Sequence, residues 1–204
     1  MIDALLSGTI DFPFLLVMEQ EHVYKTDQAA DAAILKIENE EIFENDPERD
    51  KHLAQRRIAR ERVMQVLYAM QMNGRDSDEL FTELIKSDAS LGEQAIEFSR
   101  QLLLKFNVHR DELNEILTGR LKHWDLSRVA AIDKILIQLG IIEFKYFPEI
   151  PPKATINELI EIAKDFSTEE SGKFINGVLH AVKEDLTSRN EMNKEGRGLI
   201  EQSL

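Results

Sequence analysis

Between about residues 51 and 188, apolar side chains return at every third or fourth position, and no segment shows convincing strand alternation. That rhythm commits the region to amphipathic helices, because a half-buried strand would place every second side chain inward instead. Over 55–72, Ala59, Val63, Val66, Leu67 and Met70 form one stripe, closed by the turn dipeptide Asn73-Gly74. A short helix is predicted from Asp78 to Lys86. A longer one follows over 91–106, with Ile96, Leu103 and Phe106 on its apolar side, and another over 109–121, where Leu113, Ile116 and Leu117 recur. The segment 127–146, SRVAAIDKILIQLGIIEFKY, is apolar around much of its circumference, which predicts a central helix. Pro148, Pro151 and Pro152 stop and restart the chain. Thr155 with Glu158, and Ser167 with Glu170, have the spacing of capping boxes and predict helices over 156–166 and 169–188. The polar tail 189–204 is expected to fray. Together these signals predict an all-α domain: a helical bundle of six to seven helices in two packed sub-bundles, hinged near Leu121–Ser127.

The charge distribution divides the chain. The net charge of −13 over 204 residues argues against nucleic-acid binding if it is read as an average. Residues 1–50, however, hold 13 acidic and three basic side chains, a net −10, whereas residues 51–204 stand at only −3. Three regions are therefore expected: an acidic N-terminal extension over 1–50, partly helical over 28–45 or disordered, a helical domain over 51–188, and the polar tail 189–204. The surroundings of Met18 also permit a translation start later than Met1.

Several function classes fall away. The chain has no cysteine, which excludes disulfides, thiolate metal sites and a cysteine nucleophile and fits a reducing, cytoplasmic setting. The apolar run Phe12–Met18 is too short to span a membrane, and the acidic residues before it make a poor signal peptide. The histidines at 22, 52, 109, 123 and 180 show no metal-ligand pairing, and no phosphate-cradling or nucleophile-elbow motif occurs. Neither a catalytic site, a metal nor a cofactor is expected.

One cluster opposes the acidic average. In KHLAQRRIARER (51–62), Lys51, Arg56, Arg57, Arg60 and Arg62 face a single Glu61, a local +4. At about 100° per residue, Arg56, Arg57, Arg60, Tyr68 and Gln71 occupy the flank beside the apolar stripe. Guanidinium planes there can meet phosphates or stack on unpaired bases, and Tyr68 can stack or hydrogen-bond. A solvated face paired with the acidic extension is an equally weighted alternative. A second polar group, Ser171-Gly-Lys-Phe-Ile-Asn-Gly177, opens the last helix. Phe174 is a core residue by default, and two nearby glycines suggest close backbone approach to a helix or a ligand.

These blocks carry a family resemblance. Arg56-Arg57-Ile58-Ala59-Arg60-Glu61 with Gln65-Val66-Leu67-Tyr68, then Ile150-Pro-Pro-Lys-Ala-Thr-Ile-Asn-Glu-Leu-Ile-Glu-Ile-Ala-Lys164, then Ser171-Gly-Lys-Phe-Ile-Asn-Gly-Val-Leu179 resemble the NusB family of transcription antitermination factors. Trp124 and the helix from Ile132-Asp133-Lys134 to Glu143 extend the resemblance, which covers about 55–185. It implies an all-helical fold that binds the single-stranded boxA element of ribosomal RNA transcripts. Binding occurs together with NusE, also a small-subunit ribosomal protein, in a complex that helps RNA polymerase ignore terminators. It further implies RNA-binding roles for Arg56, Arg57, Arg60, Gln65, Tyr68, Glu170, Lys173 and Phe174, and a partner-facing role for Asp133. Ile58 interrupts what is often a longer arginine run, and Lys134 and Gln138 stand where arginines are common. The extension over 1–50 lies outside the resemblance.

Three functions then compete. The first is an RNA-binding antitermination adaptor. The second is an enzyme, because ribosomal RNA cytosine methyltransferases carry a similar helical domain; they also need a large cofactor-binding domain and catalytic cysteines, neither of which is expected in a cysteine-free chain of 204 residues. The third is a helical adaptor that binds protein only and uses its arginines for internal salt bridges. For the extension, a solvated tail is favoured over a phosphate mimic that competes with RNA.

Overall fold

A computed structural model describes residues 47–120 and 129–202. The helix expected over 28–45, Trp124 and the hinge expected at 121–127 lie outside the described residues. Among the described residues there are seven α-helices and no strand: α1 (Pro47–Asn73), α2 (Ser77–Phe81), α3 (Glu93–Val108), α4 (Arg110–Arg120), α5 (Ala131–Tyr146), α6 (Pro152–Phe166) and α7 (Ser171–Ser188). None of them is long and apolar enough to cross a membrane.

Proline, which lacks an N–H and fits a first turn, opens α1, and Glu48 and Asp50 sit at its positive end. Ala59, Val63, Val66 and Leu67 are buried as the stripe requires. The helix stops where Gly74 takes a left-handed φ of 62° and its N–H bonds the Met70 carbonyl at 3.1 Å. The Asp76 side chain caps α2 by accepting from the N–H groups of Asp78 and Glu79. The same chain continues as a π-helical turn, Thr82–Lys86. One residue, His109, separates α3 from α4.

Helix α5 organises the rest. All residues from Ile135 to Phe144 are buried, and α5 packs against α3, α4, α6 and α7. Helices α6 and α7 also pack closely on one another. One hydrophobic core runs through these helices and the apolar face of α1.

Three local expectations are corrected. Pro152, not Thr155, starts α6: the Pro151-Pro152 pair presets the backbone for helix entry three residues earlier. Thr155 consequently faces the core and Glu158 turns outward, so the capping box does not form. Likewise α7 starts at Ser171 with no side-chain cap from Glu170, and the Ser167 hydroxyl donates to Asp133 instead. The tail does not fray over its described part. It folds back along α5, with Met192 against the core and a 3-10 turn over Gly196–Gln202.

Candidate nucleic-acid interface

The arginines of α1 share one helix but not one environment. Arg60 lies three and four residues before the buried Val63 and Met64, so its side chain enters the core and is 4% exposed. Its Nε and Nη2 donate to Oε1 and Oε2 of the fully buried Glu143 on α5, at 2.7 and 2.9 Å. Thr155 on α6 donates to the same carboxylate at 2.7 Å. Burial works against the charged guanidinium, but the adjacent carboxylate outweighs it and holds the Arg60 pKa above its ordinary value. Arg60 is therefore absent from the exposed flank: it joins three helices, and its hydrogen bonds are directed inward.

Arg57, one turn back, is half exposed and forms a fork with Glu158 of α6 at 2.6 and 3.0 Å. That hydrogen bond is the main cause of its raised pKa, with Glu161 and Asp165 adding to the field. Arg56 lies 5.0 Å from the Phe98 ring centroid and 3.6 Å from the Glu149 carboxylate. Phe98 in turn meets Phe147 edge-on at 5.3 Å. These groups line an open groove of about 580 Å³ with Arg100, Gln94 and Gln101. Further along α1, Gln65 donates to Glu61 and accepts from Arg62, which also donates to Asp88 at 2.9 Å. Tyr68 is exposed. By helical geometry Tyr68 lies on the same side as Arg57, about 16 Å along the axis.

The second predicted group assembles at the head of α7. Asp133, Glu170, Lys173 and Phe174 line one open groove of about 610 Å³, bordered by Arg120, Gly177 and Ala181. Asp133 is mostly buried, and its two oxygens accept from the Ser167 and Ser171 hydroxyls at 2.6 and 2.8 Å. Lys173 and Glu170 are fully at the surface, 3.3 Å apart. Phe174 is partly buried against the core. Neither glycine serves a close approach to a neighbouring helix: a Cβ at Gly177 would meet nothing within 4 Å, and one at Gly172 only Ile160 at an ordinary 3.4 Å. Among the described residues, no group of three or more histidine, aspartate or glutamate side chains is placed to hold a metal ion.

Pattern reading missed three features of this frame. They are the Arg60–Glu143–Thr155 network, the two hydroxyls on Asp133, and Lys194 of the tail, which donates to the Glu143 and Phe147 carbonyls at 2.9 Å each. A lone glutamate inside the apolar run of α5 was the available signal for the first.

The NusB family model matches residues 57–184. The transcription antitermination protein NusB of Salinibacter ruber is 36% identical over 148 residues, covering 72% of this chain and 92% of its own length. The T. maritima NusB structure superposes with a TM-score of 0.59 at 28% identity, over 64% of this chain and 91% of that one. A chain in the crystal structure of antitermination factors NusB and NusE in complex with dsRNA gives a TM-score of 0.58 at 26% identity, over 65% of this chain and 98% of that one. A family match across most of the described helices, a relative aligned over nearly its whole length and a shared helical architecture establish that this chain belongs to the NusB family.

Proposed function

We propose that this chain is a transcription antitermination factor. In this reading it binds boxA-type single-stranded RNA of ribosomal RNA transcripts together with NusE, as part of an RNA polymerase antitermination complex, and promotes processive transcription of ribosomal RNA operons. The observation that carries the reading is the near-complete match to a chain solved in a complex of NusB, NusE and dsRNA. The site geometry supports it at two places. Arg56 and Arg57 keep their guanidinium groups at the surface on carboxylate partners, which an RNA phosphate can replace, at Arg57 with the same fork geometry. Phe174 presents an aromatic surface beside the exposed Lys173, suited to stacking on a base.

Roles follow from exposure. Arg56, Arg57 and Lys173 supply phosphate attraction, Tyr68 and Phe174 supply base or ribose contacts, and Gln65 and Glu170 supply hydrogen bonds. Arg60 acts from beneath by fixing α1. Asp133 shapes the groove at which NusE docks, through the two serines it holds. The test is a gel shift with boxA-type RNA, with and without purified NusE. Binding is expected to strengthen with the partner, and no measurable binding at low salt with NusE present would overturn the reading.

A specific observation favours a second reading. Arg56, Arg57, Arg60 and Arg62 each have a carboxylate partner within the protein, as in an adaptor that kept the fold and binds only protein. Retention of NusE binding with no RNA shift under the same conditions would select it.

A further inference from the structure

The polar tail beyond the family match at residue 184 does something definite in this structure. After α7 the chain reverses at Asn190, whose φ is 56°, and runs back across the C-terminal end of α5. Glu191 meets Lys145 at 2.7 Å. Lys194 then places its ammonium on the Glu143 and Phe147 carbonyls, both at 2.9 Å. A cation at the carbonyl end of a helix is favoured by the aligned peptide dipoles. The Glu195 N–H bonds the Pro148 carbonyl at 3.0 Å. Gly198 lies so close that a Cβ there would come within 2.0 Å of the same oxygen. The tail therefore grips both Phe147 and Pro148 by their backbone.

Those two residues begin the turn that faces Arg56. Phe147 supports the Phe98 ring edge-on at 5.3 Å, and Phe98 underlies Arg56 at 5.0 Å. Glu149, next in the chain, meets the Arg56 guanidinium at 3.6 Å. We propose that the tail segment 191–198 is a positioning strap for the RNA-binding edge: Lys194 and the Gly198 contact hold the Phe147–Glu149 turn so that Arg56 is presented at a fixed angle over Phe98. Lys194 acts through the turn and touches no RNA. The strap serves the RNA-binding role proposed above for Arg56, and so rests on that reading.

A double-mutant cycle on the full chain tests it, with a fluorescent boxA-type RNA as probe and NusE present. The four proteins are the unaltered chain, Arg56→Ala, Lys194→Met and the double variant. Lys194→Met is expected to weaken binding about threefold to tenfold, and the double variant no more than Arg56→Ala alone. A plot of log affinity against log salt should flatten by the same step, about 0.7 for one single-strand phosphate contact, in all three variants. Lys194→Arg should restore most of the affinity. Gly198→Val keeps the Lys194 ammonium but pushes the strap off the Pro148 carbonyl, crowding the Lys194 Cβ at 3.3 Å as well, and should reproduce the loss. If Arg56→Ala leaves RNA affinity unchanged, the role assigned to Arg56 fails. If Arg56→Ala weakens binding but neither Lys194→Met nor Gly198→Val does, the strap inference alone is overturned. It is equally overturned if both strap variants lose the native melting transition, because the tail would then be part of the folding core.

Discussion

The base of α1 and the head of α7 use charge in opposite ways. At α1, four arginines each lie against a carboxylate from elsewhere in the chain, and one pair, Arg60 with Glu143, is sealed from solvent. At α7, Lys173 is 80% exposed and lies a loose 3.3 Å from Glu170, the residue just before its helix, while the buried carboxylate, Asp133, is held by hydroxyls. A buried ion pair costs desolvation that only good geometry repays, so it ties elements together but is poorly placed to meet a ligand. An exposed charge adds little to stability yet remains available to a phosphate. The same residue type, three positions apart on α1, falls on both sides of this divide: Arg60 is structural, and Arg57 sits at the surface.

The largest expected effect breaks that divide at Arg60. Arg60→Ala leaves Glu143 buried without its cation, which should cost about 3–5 kcal/mol. At roughly 2–4 °C per kcal/mol for a chain of this size, Tm should fall by on the order of 10 °C in a thermal melt. Arg57→Ala, whose pair is half exposed, should move Tm by no more than about 4 °C, an effect of about 0–1 kcal/mol. Equal Tm losses for the two variants would erase the difference between the sealed pair and the surface pair.

Phe174→Ala sharpens the other region. A base stacked on Phe174 is worth about 1–3 kcal/mol, so RNA affinity should fall by roughly fivefold to a hundredfold. Because the ring is also packed partly on the core, a melting curve run beside the binding assay separates the two roles. A large Tm loss with unchanged affinity in the protein that remains folded would make Phe174 a core residue only. Arg57→Ala together with Lys173→Ala comes next in size. Each removed phosphate contact should flatten the salt dependence by about 0.7, and an unchanged slope would show that neither cation meets RNA.

How much of this was readable in advance follows from which forces are local. The helices were legible because their apolar faces recur along the chain: Ala59, Val63, Val66 and Leu67 mark the buried side of α1 without knowledge of what covers it. The Gly74 stop was legible because a left-handed residue is a local demand. Arg60 was misplaced because its partner Glu143 lies 83 residues away, and periodicity gives direction without naming the neighbour. The capping boxes at Thr155 and Ser167 failed for a related reason. Both hydroxyls have carboxylate partners on α5, Glu143 and Asp133, and those distant contacts prevailed over the local pattern. The tail was illegible because Lys194 and Gly198 recognise backbone carbonyls, which every residue possesses. The candidate site divides the same way: Arg57 and Tyr68 are exposed on the flank that helical spacing gives them, and what lies beneath them did not announce itself.

The smallest test moves the comparison to one helix. Two residues after Glu143, on another face of α5, Lys145 meets Glu112 at 2.6 Å and Glu191 at 2.7 Å in a partly wet site. Burial there raises the Glu112 pKa, but hydrogen bonds from Lys145 and Tyr146 outweigh it and hold the carboxyl below its ordinary 4.5. A group whose pKa is lower in the folded state stabilises the protein above its unfolded pKa and loses that contribution as pH falls. The Glu112 contribution is therefore complete above about pH 5 and declines below about 4.5. Glu112→Gln should lower stability at neutral pH by about 0.2–1 kcal/mol, the range for exposed pairs, and should flatten the acid side of the stability curve. Denaturant melts from pH 3 to 7 read both. A variant that tracks the unaltered protein at every pH would mean that Lys145 is held by Glu191 alone, whereas a neutral-pH loss approaching that of Arg60→Ala would mean that the site is as dry as the one at Glu143.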